Sequence, residues 1–418
     1  METAGTDKEK IPLKLLVAIT ACWYLAQMGY YAQAQLFGSV MERYGLDEAA
    51  VGLIMSKEVM VYALTALLLA GPVTRISRAK IALLGGALVF ASNIVSGMSE
   101  SYEVLRIARM VSGFGAGMIG AAGTASAASS INPQRVFAIV AVSWGLLAAG
   151  GAVIFPYFTE ALGAMGGYFS LAGAVVLLLP LCFWLPPPPR DPEEEAAKAA
   201  AMNSLSPLER FTEKLGVRGA PNKEFAIVAL IALFIYEVGQ GGIQVFLEQM
   251  GLRTGMDAVE VGRVLGIAGF VGLAGGVIAA WLSNRYGNLR PALLGIATNA
   301  IVACALALGE SAMAFALLYL AWNVCFYFVV PYIMGIMSEM DKKGRWAVAT
   351  DAVWWFGAAP GPAIGGYLVA ETGYTGLAIL PLVVGAISIV LFSVTLGRFY
   401  ARRNTQQDSP PVSEGVSS

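Results

Sequence analysis

Apolar residues in this chain come as long runs, not at the spacing of a surface helix or a half-buried strand. Runs of roughly membrane-spanning length fill 14–40, 50–72, 79–97, 103–130, 136–158 and 167–186. Six more fill roughly 224–248, 258–282, 290–309, 312–337, 346–369 and 374–397. A bilayer core about 30 Å thick needs ~20 apolar residues per helix, so each run is long enough to cross one. The first run is too long, and too poor in a small-residue cleavage site, for a cleaved signal peptide. One polar segment interrupts the series: PPPPRDPEEEAAKAAAMNSLSPLERFTEKLGVRGAPNK, between the sixth and seventh runs. Its prolines end the sixth span, its charges keep it in water, and short surface helices are expected around 193–216.

The two sets of six are copies. Shifted by 210 positions without a gap, RYGLDEAAVG (43–52) lies over RTGMDAVEVG (253–262), and 13 of the 45 positions from 43 to 87 are identical. The register persists at Gly29 over Gly239, Arg135 over Arg345, Trp144 over Trp354 and Gly151 over Gly361. An even number of spans returns each half to its starting side, so the repeats must be parallel, related by an axis along the membrane normal. The expected fold is an all-α integral membrane protein of 12 transmembrane helices in two parallel six-helix pseudo-repeats. Its halves are 1–187 and 223–400, joined by a linker at 188–222 and followed by a disordered tail at 401–418.

Composition agrees. The chain is 57% hydrophobic and 13% charged, with a mean hydropathy of +0.67. A soluble domain carries about 25% charged residues. Lys and Arg give the orientation: 21 of 27 fall in the termini, the linker and the loops on one side, while the opposite loops hold only Arg43 and Arg253. That side is expected to be cytoplasmic, in a bacterial inner (plasma) membrane. There is no histidine, and the four cysteines sit singly within apolar runs, with no metal-ligand spacing. They read as small packing residues. No metal, cofactor or nucleic-acid partner is expected. GAGMIG (115–120) matches a dinucleotide fingerprint, but it lies inside an apolar run, where small residues let helix backbones approach.

WLSNRYGNLRP (281–291) resembles the loop signature G-x-L-x-D-R-x-G-R-[KR] of the major facilitator superfamily, and PVTRISRAK (72–80) is its decayed copy. RMVSGFGAG (109–117) resembles the family's R-x-x-x-G-x-G-x-G pattern. The resemblance implies alternating access between two six-helix halves. It also implies a conformational latch built from Arg75, Asn284, Arg285, Gly287 and Arg290. The family's acid before the loop arginine is replaced here by Thr74 and Asn284, which weakens that latch. The antiporter pattern G-P-x-x-G-G is missing from the fifth span, while GPAIGG (361–366) in the eleventh should loosen or bend that helix.

Charges inside spans are costly unless paired or facing water, so they mark candidate function. Glu237 lies about 13 residues into the seventh run, or ~20 Å along it, near the midplane. Its 210-shifted partner is Gln27. Gln240 and Gln244 share the Glu237 face, and Tyr24 and Tyr31 share the Gln27 face. Arg109 matches the motif arginine and is expected to reach substrate or to pair with Glu58. Asn323, Tyr327, Trp354 and Trp355 are further candidate substrate contacts. Glu237, Asp351 and Glu58 are the candidate proton-coupling groups, Glu237 foremost. The expected activity is proton-coupled transport of a small amphipathic organic solute, with uptake favoured. A multidrug-type exporter, or a non-transporting sensor or lipid-handling protein, would be built on the same fold. The expected partners are that solute, protons and the lipid bilayer, the chain acting as a monomer and not as an enzyme.

Overall fold

The computed structural model describes residues 11–70, 72–163, 165–188, 201–202, 204–214, 218–341 and 345–407. Much of the linker, the residues after 407 and most of the amino-terminal lysines therefore lie outside the described residues. Within a bilayer every backbone polar group must be paired internally, which leaves helices as the solution for apolar runs such as these. The first half holds α1 (Leu13–Tyr44), α2 (Glu48–Leu69), α3 (Arg78–Met98), α4 (Tyr102–Ala128), α5 (Pro133–Leu162) and α6 (Gly166–Leu178), which tightens into a 3-10 turn at Leu179–Trp184. A short α7 (Pro207–Lys214) sits in the linker. The second half holds α8 (Lys223–Gln244), α9 (Leu247–Arg253), α10 (Ala258–Tyr286), α11 (Leu289–Ala307), α12 (Ala312–Met340), α13 (Arg345–Ala358), α14 (Gly361–Thr372) and α15 (Tyr374–Gln407).

Eleven of the twelve runs are helices long and apolar enough to cross a membrane. The eleventh run is divided into α13 and α14 at Ala359–Pro360, where GPAIGG begins. Proline there removes an amide donor and crowds the preceding turn. At the other end of the chain, α15 passes through Arg402 to Gln407, into the stretch expected to be an unstructured tail. Arg402 fixes it there by donating to Glu224 at 2.8 Å.

The repeated decapeptide now has a physical reason. Gly45 and Gly255 take positive φ values (60° and 89°), which glycine tolerates without strain. Asp47 and Asp257 then cap α2 and α10, accepting from Ala50 and Glu260 amides at 2.8 and 2.7 Å. Gly52 of α2 lies against the Pro362 carbonyl of α14, and Gly262 of α10 lies against Ala152 and Pro156 of α5. Pro362 is the 210-shifted mate of Ala152, so these are one contact made twice. Together they close the Arg43/Arg253 end of the molecule, where Ser56 also accepts from the Ala363 amide at 2.8 Å.

The opposite end, which carries the basic loops, is different. One apolar cluster fills the first half and continues into the second through Phe246, Phe315 and Leu377. A separate cluster around Ala226, Ile336, Trp346 and Phe399 belongs to the second half alone. Between the halves, toward the basic end, a vestibule of about 240 Å³ is lined by the last turns of α2 and α4 and by Ala349, Asp351 and Ala352 of α13. Cys22 and Cys182 pack together in the core, sulfur to sulfur at 3.4 Å.

Candidate functional site

The site begins with a close approach of two helices. Gly357 of α13 and Gly241 of α8 have no side chain to hold the backbones apart: a Cβ on Gly357 would fall 2.7 Å from the Glu237 Cβ. Glu237 is thereby held 1% exposed. It lines a pocket of about 40 Å³ with Gln240 and Gln244 from its own helix, at the i+3 and i+7 positions read from the sequence. Tyr30 and Tyr31 of α1 close the pocket from the other half. Trp322, Asn323, Phe326 and Tyr327 of α12 and Trp354 and Trp355 of α13 complete the wall.

Several buried polar atoms here have no partner among the described residues: Glu237 Oε1, Gln240 Oε1 and Trp322 Nε1. Buried polar groups are nearly always hydrogen-bonded, so a cluster of orphans on one cavity marks a place that receives something. Three amide groups around them are held by hydrogen bonds. Gln240 Nε2 donates to Asn299 Oδ1 at 2.7 Å, and Asn299 Nδ2 donates to the Trp322 carbonyl at 3.2 Å. Asn323 Nδ2 donates to the Tyr319 carbonyl at 3.1 Å.

Glu58 takes the opposite course. It pairs with Arg109 at 3.4 Å, deep inside the first half. Arg109 also donates to Ser96 Oγ at 3.1 Å, Asn93 Oδ1 at 3.0 Å and the Ser92 carbonyl at 3.3 Å, with its guanidinium 4.5 Å over the Tyr168 ring. Glycines of the RMVSGFGAG stretch bring α4 close enough for this: Gly113 lies against the Glu58 carbonyl and Gly117 against that of Tyr62. Of the two expectations for Arg109, reaching substrate or pairing with Glu58, it makes the pair, and it lines none of the cavities described here. A pocket of about 20 Å³ exposes Glu58 beside Tyr30, Tyr62 and Trp355.

Trp355 is common to the Glu58 pocket, the Glu237 pocket and the vestibule. It meets Tyr30 edge-on at 5.4 Å and Tyr62 at 4.9 Å. Asp351, one turn nearer the basic end, lines the vestibule and not the Glu237 pocket. Tyr24 lines a separate groove of about 420 Å³ among α1, α5 and α6, which Tyr31 also borders. Gln27, half-buried on α1, is absent from the Glu237 wall. Of the helix-1 face expected around Gln27, Tyr31 lines the Glu237 pocket while Gln27 and Tyr24 do not, and Tyr30 joins it.

The resemblance implies a latch at the loop arginines. Among the described residues, Arg75, Arg285 and Arg290 make no ion pair, and Arg285 stacks 4.7 Å over Trp281 of its own helix. Gly287 ends α10 at φ 68°. The Asn284 side chain lies outside the described residues. Asn288, not singled out in the sequence, donates to Glu339 Oε1 at 2.6 Å. Sequence reasoning also missed Asn299, Tyr30 and Tyr62. Asn299 carried a usable signal, being a lone amide within the apolar ninth run; the tyrosines did not.

A family model described as Major Facilitator Superfamily matches residues 20–350. No curated protein matches the chain in sequence. Solved structures similar to this chain include a POT family transporter in complex with 5-aminolevulinic acid, at 16% identity and a TM-score of 0.66, covering 92% of this chain and 96% of that one. A D-xylose-proton symporter aligns at 15% identity, TM-score 0.67, over 91% and 96% of the two chains. The nucleoside transporter NupG aligns at 15% identity, TM-score 0.69, over 93% and 100%. At such identities the likeness is one of fold.

Proposed function

The chain belongs to the major facilitator superfamily, a family of membrane transporters, and on that premise we propose that it moves a small amphipathic organic solute by alternating access, coupled to protons at Glu237. The observation that carries this reading is the partnerless Glu237 Oε1, fully buried at the seam where α1 of one half faces α8 of the other. An ionised carboxylate is expensive in a dry apolar cavity and a protonated one is not. Wetting and drying the pocket as the halves rock would therefore release and reload a proton. Coupling further requires that solute affinity differ between the two protonation states.

On this reading the vestibule is the cytoplasmic mouth, and the paired glycine contacts at Gly52 and Gly262 are the closed outer gate. Gln240, Gln244, Asn323, Tyr327 and Trp354 contact the solute, and Trp355 separates it from the mouth. A second reading, efflux in exchange for protons, is favoured by one feature: the pocket wall is mostly aromatic and carries a single charge.

The test uses protein reconstituted in liposomes loaded with a pH-sensitive dye. Neutral, cationic and anionic organic solutes are added one at a time. At least one is expected to shift internal pH, with the shift collapsed by a protonophore. Folded protein that moves neither solute nor proton would sink the reading and favour a sensor.

A further inference from the structure

We propose that the solute is an organic monocation, whose charged head pairs with Glu237 inside an aromatic box and displaces the proton held there. The proposal rests on the transport reading above and names the substrate class of that site.

Three observations carry it. Among the described residues, the Glu237 pocket holds one carboxyl group, and no Lys or Arg lines it, the Glu58 pocket or the vestibule. The cation that might have served an anionic solute, Arg109, is already paired with Glu58 and capped by Tyr168. Most of the rest of the wall is rings, beside the amides of Gln240, Gln244 and Asn323, with Trp354 edge-on to Phe326 at 5.4 Å and Trp355 edge-on to Tyr30 at 5.4 Å. Ring faces attract an ammonium through their quadrupole, and more strongly where water is excluded. An anion would meet those faces and an ionised Glu237 with like charge, and a neutral solute would leave an ionised Glu237 without a counter-charge.

Size sharpens the class. About 40 Å³ admits a charged head group and little more, while the vestibule of about 240 Å³ beyond Trp355 takes an apolar body. The solute is therefore a compact ammonium head on a hydrophobic stem, entering as Trp355 swings aside.

Binding then exchanges one positive charge for another. The protonated carboxyl gives up its proton, the carboxylate pairs with the cation, and one proton leaves per cation bound. The other titratable groups facing Glu237 are phenols: Tyr30 and Tyr31 from α1, Tyr327 from α12 and Tyr236 from α8. Phenols stay protonated at neutral pH. Asp351 faces the vestibule instead, and the parts of α14 and α15 that pack on α8 here, at Gly361, Pro381 and Val384, carry no titratable side chain. Mutually exclusive binding at one carboxylate makes the coupling an exchange, with the solute moving against the proton.

The experiment compares binding of phenyltrimethylammonium, its neutral isostere tert-butylbenzene, and benzoate to the purified full chain. Tryptophan fluorescence reports occupancy, and a dye in weakly buffered solution reports proton release. Phenyltrimethylammonium is expected to bind at least about tenfold more tightly than the isostere, which is ~1.4 kcal/mol of cation-specific attraction, and to release one proton. Glu237→Gln should weaken it by about 30-fold or more, and Trp354→Leu by a few-fold. Should the Gln variant misfold, proton release from the wild-type chain decides. Equal binding of the isostere, tighter binding of benzoate, or cation binding without proton release would each overturn the proposal. Cation binding and proton release without flux in liposomes would leave it standing and sink the transport reading. Proton-coupled flux of an anion alone would do the reverse.

Discussion

Glu58 and Glu237 are both carboxyl groups buried in apolar helices, 7% and 1% exposed. Their surroundings could hardly differ more. Glu58 faces a guanidinium that is itself held by two side chains, a carbonyl and a ring. Among the described residues, Glu237 has no cation beside it and its Oε1 has no partner. Burying a charge is costly unless it is paired, so the first residue has its cost met by the fold itself. The second has its cost left open, which suits a group that must change state. Charge inside a membrane thus divides into structural and working kinds by what surrounds it.

The comparison breaks most sharply at Arg109. Arg109→Leu strands Glu58 and should cost about 3–5 kcal/mol, seen as a large fall in melting temperature or loss of monodisperse protein. The double change Arg109→Leu with Glu58→Leu should recover much of that. A single variant as stable as wild type would mean the pair holds nothing together.

Next comes the close approach that seats Glu237. A Cβ at Gly357 would meet the Glu237 Cβ and the Phe234 carbonyl at 2.7 Å. Gly357→Ala should therefore push α13 off α8, costing about 1–3 kcal/mol and weakening solute binding by moving Trp354. Unchanged affinity would show that α13 does not shape the pocket.

The contact of Gly262 with α5, proposed above as part of a seal, gives a subtler effect. Gly262→Ala puts a methyl 2.7 Å from Pro156 Cγ and 2.8 Å from the Ala152 carbonyl. It should destabilise this contact between α10 and α5 by about 1–2 kcal/mol, and a cysteine placed at Ser56 should then label faster from the Arg43/Arg253 side. Slower or unchanged labelling would mean the seal lies elsewhere.

The smallest effect is at the linker helix. Ser206 donates its amide and hydroxyl to Glu209, at 3.0 and 2.8 Å, which holds that carboxyl below its ordinary range. The contribution is full above the unfolded value of about 4.3 and fades as pH falls through the lower folded value. Corrected for the intrinsic pH dependence of amide exchange, protection across 204–214 should fall only under acid. Loss of that protection on going alkaline would contradict the assignment.

Much of the fold was legible in the sequence because membrane helices announce themselves by length and composition, and the repeat by its offset. Asp47, Gly45 and Gly52 were visible as a pattern, although only the contacts with α14 and α5 explain why it was written twice. Glu237, Gln240 and Gln244 were legible through helical spacing. Arg109 was harder: its residue type fits equally a ligand contact or a buried pair, and three polar side chains from α3 and α6 decide between them. The step from Gln27 to Tyr30 had no sequence signal, since the two lie one turn apart on the same side of the helix and the height of the pocket along it is fixed by packing. The break at Pro360 was foreshadowed by its prolines and glycines.

The most direct measurement is solute-triggered proton movement in liposomes carrying the wild-type chain or Glu237→Gln, matched for folded protein. The glutamine preserves shape and fixes the neutral form. The account predicts that a solute shifting internal pH through the wild-type chain will shift none through the variant. Proton movement at the wild-type level in Glu237→Gln would make Glu237 structural and turn attention to Asp351 in the vestibule.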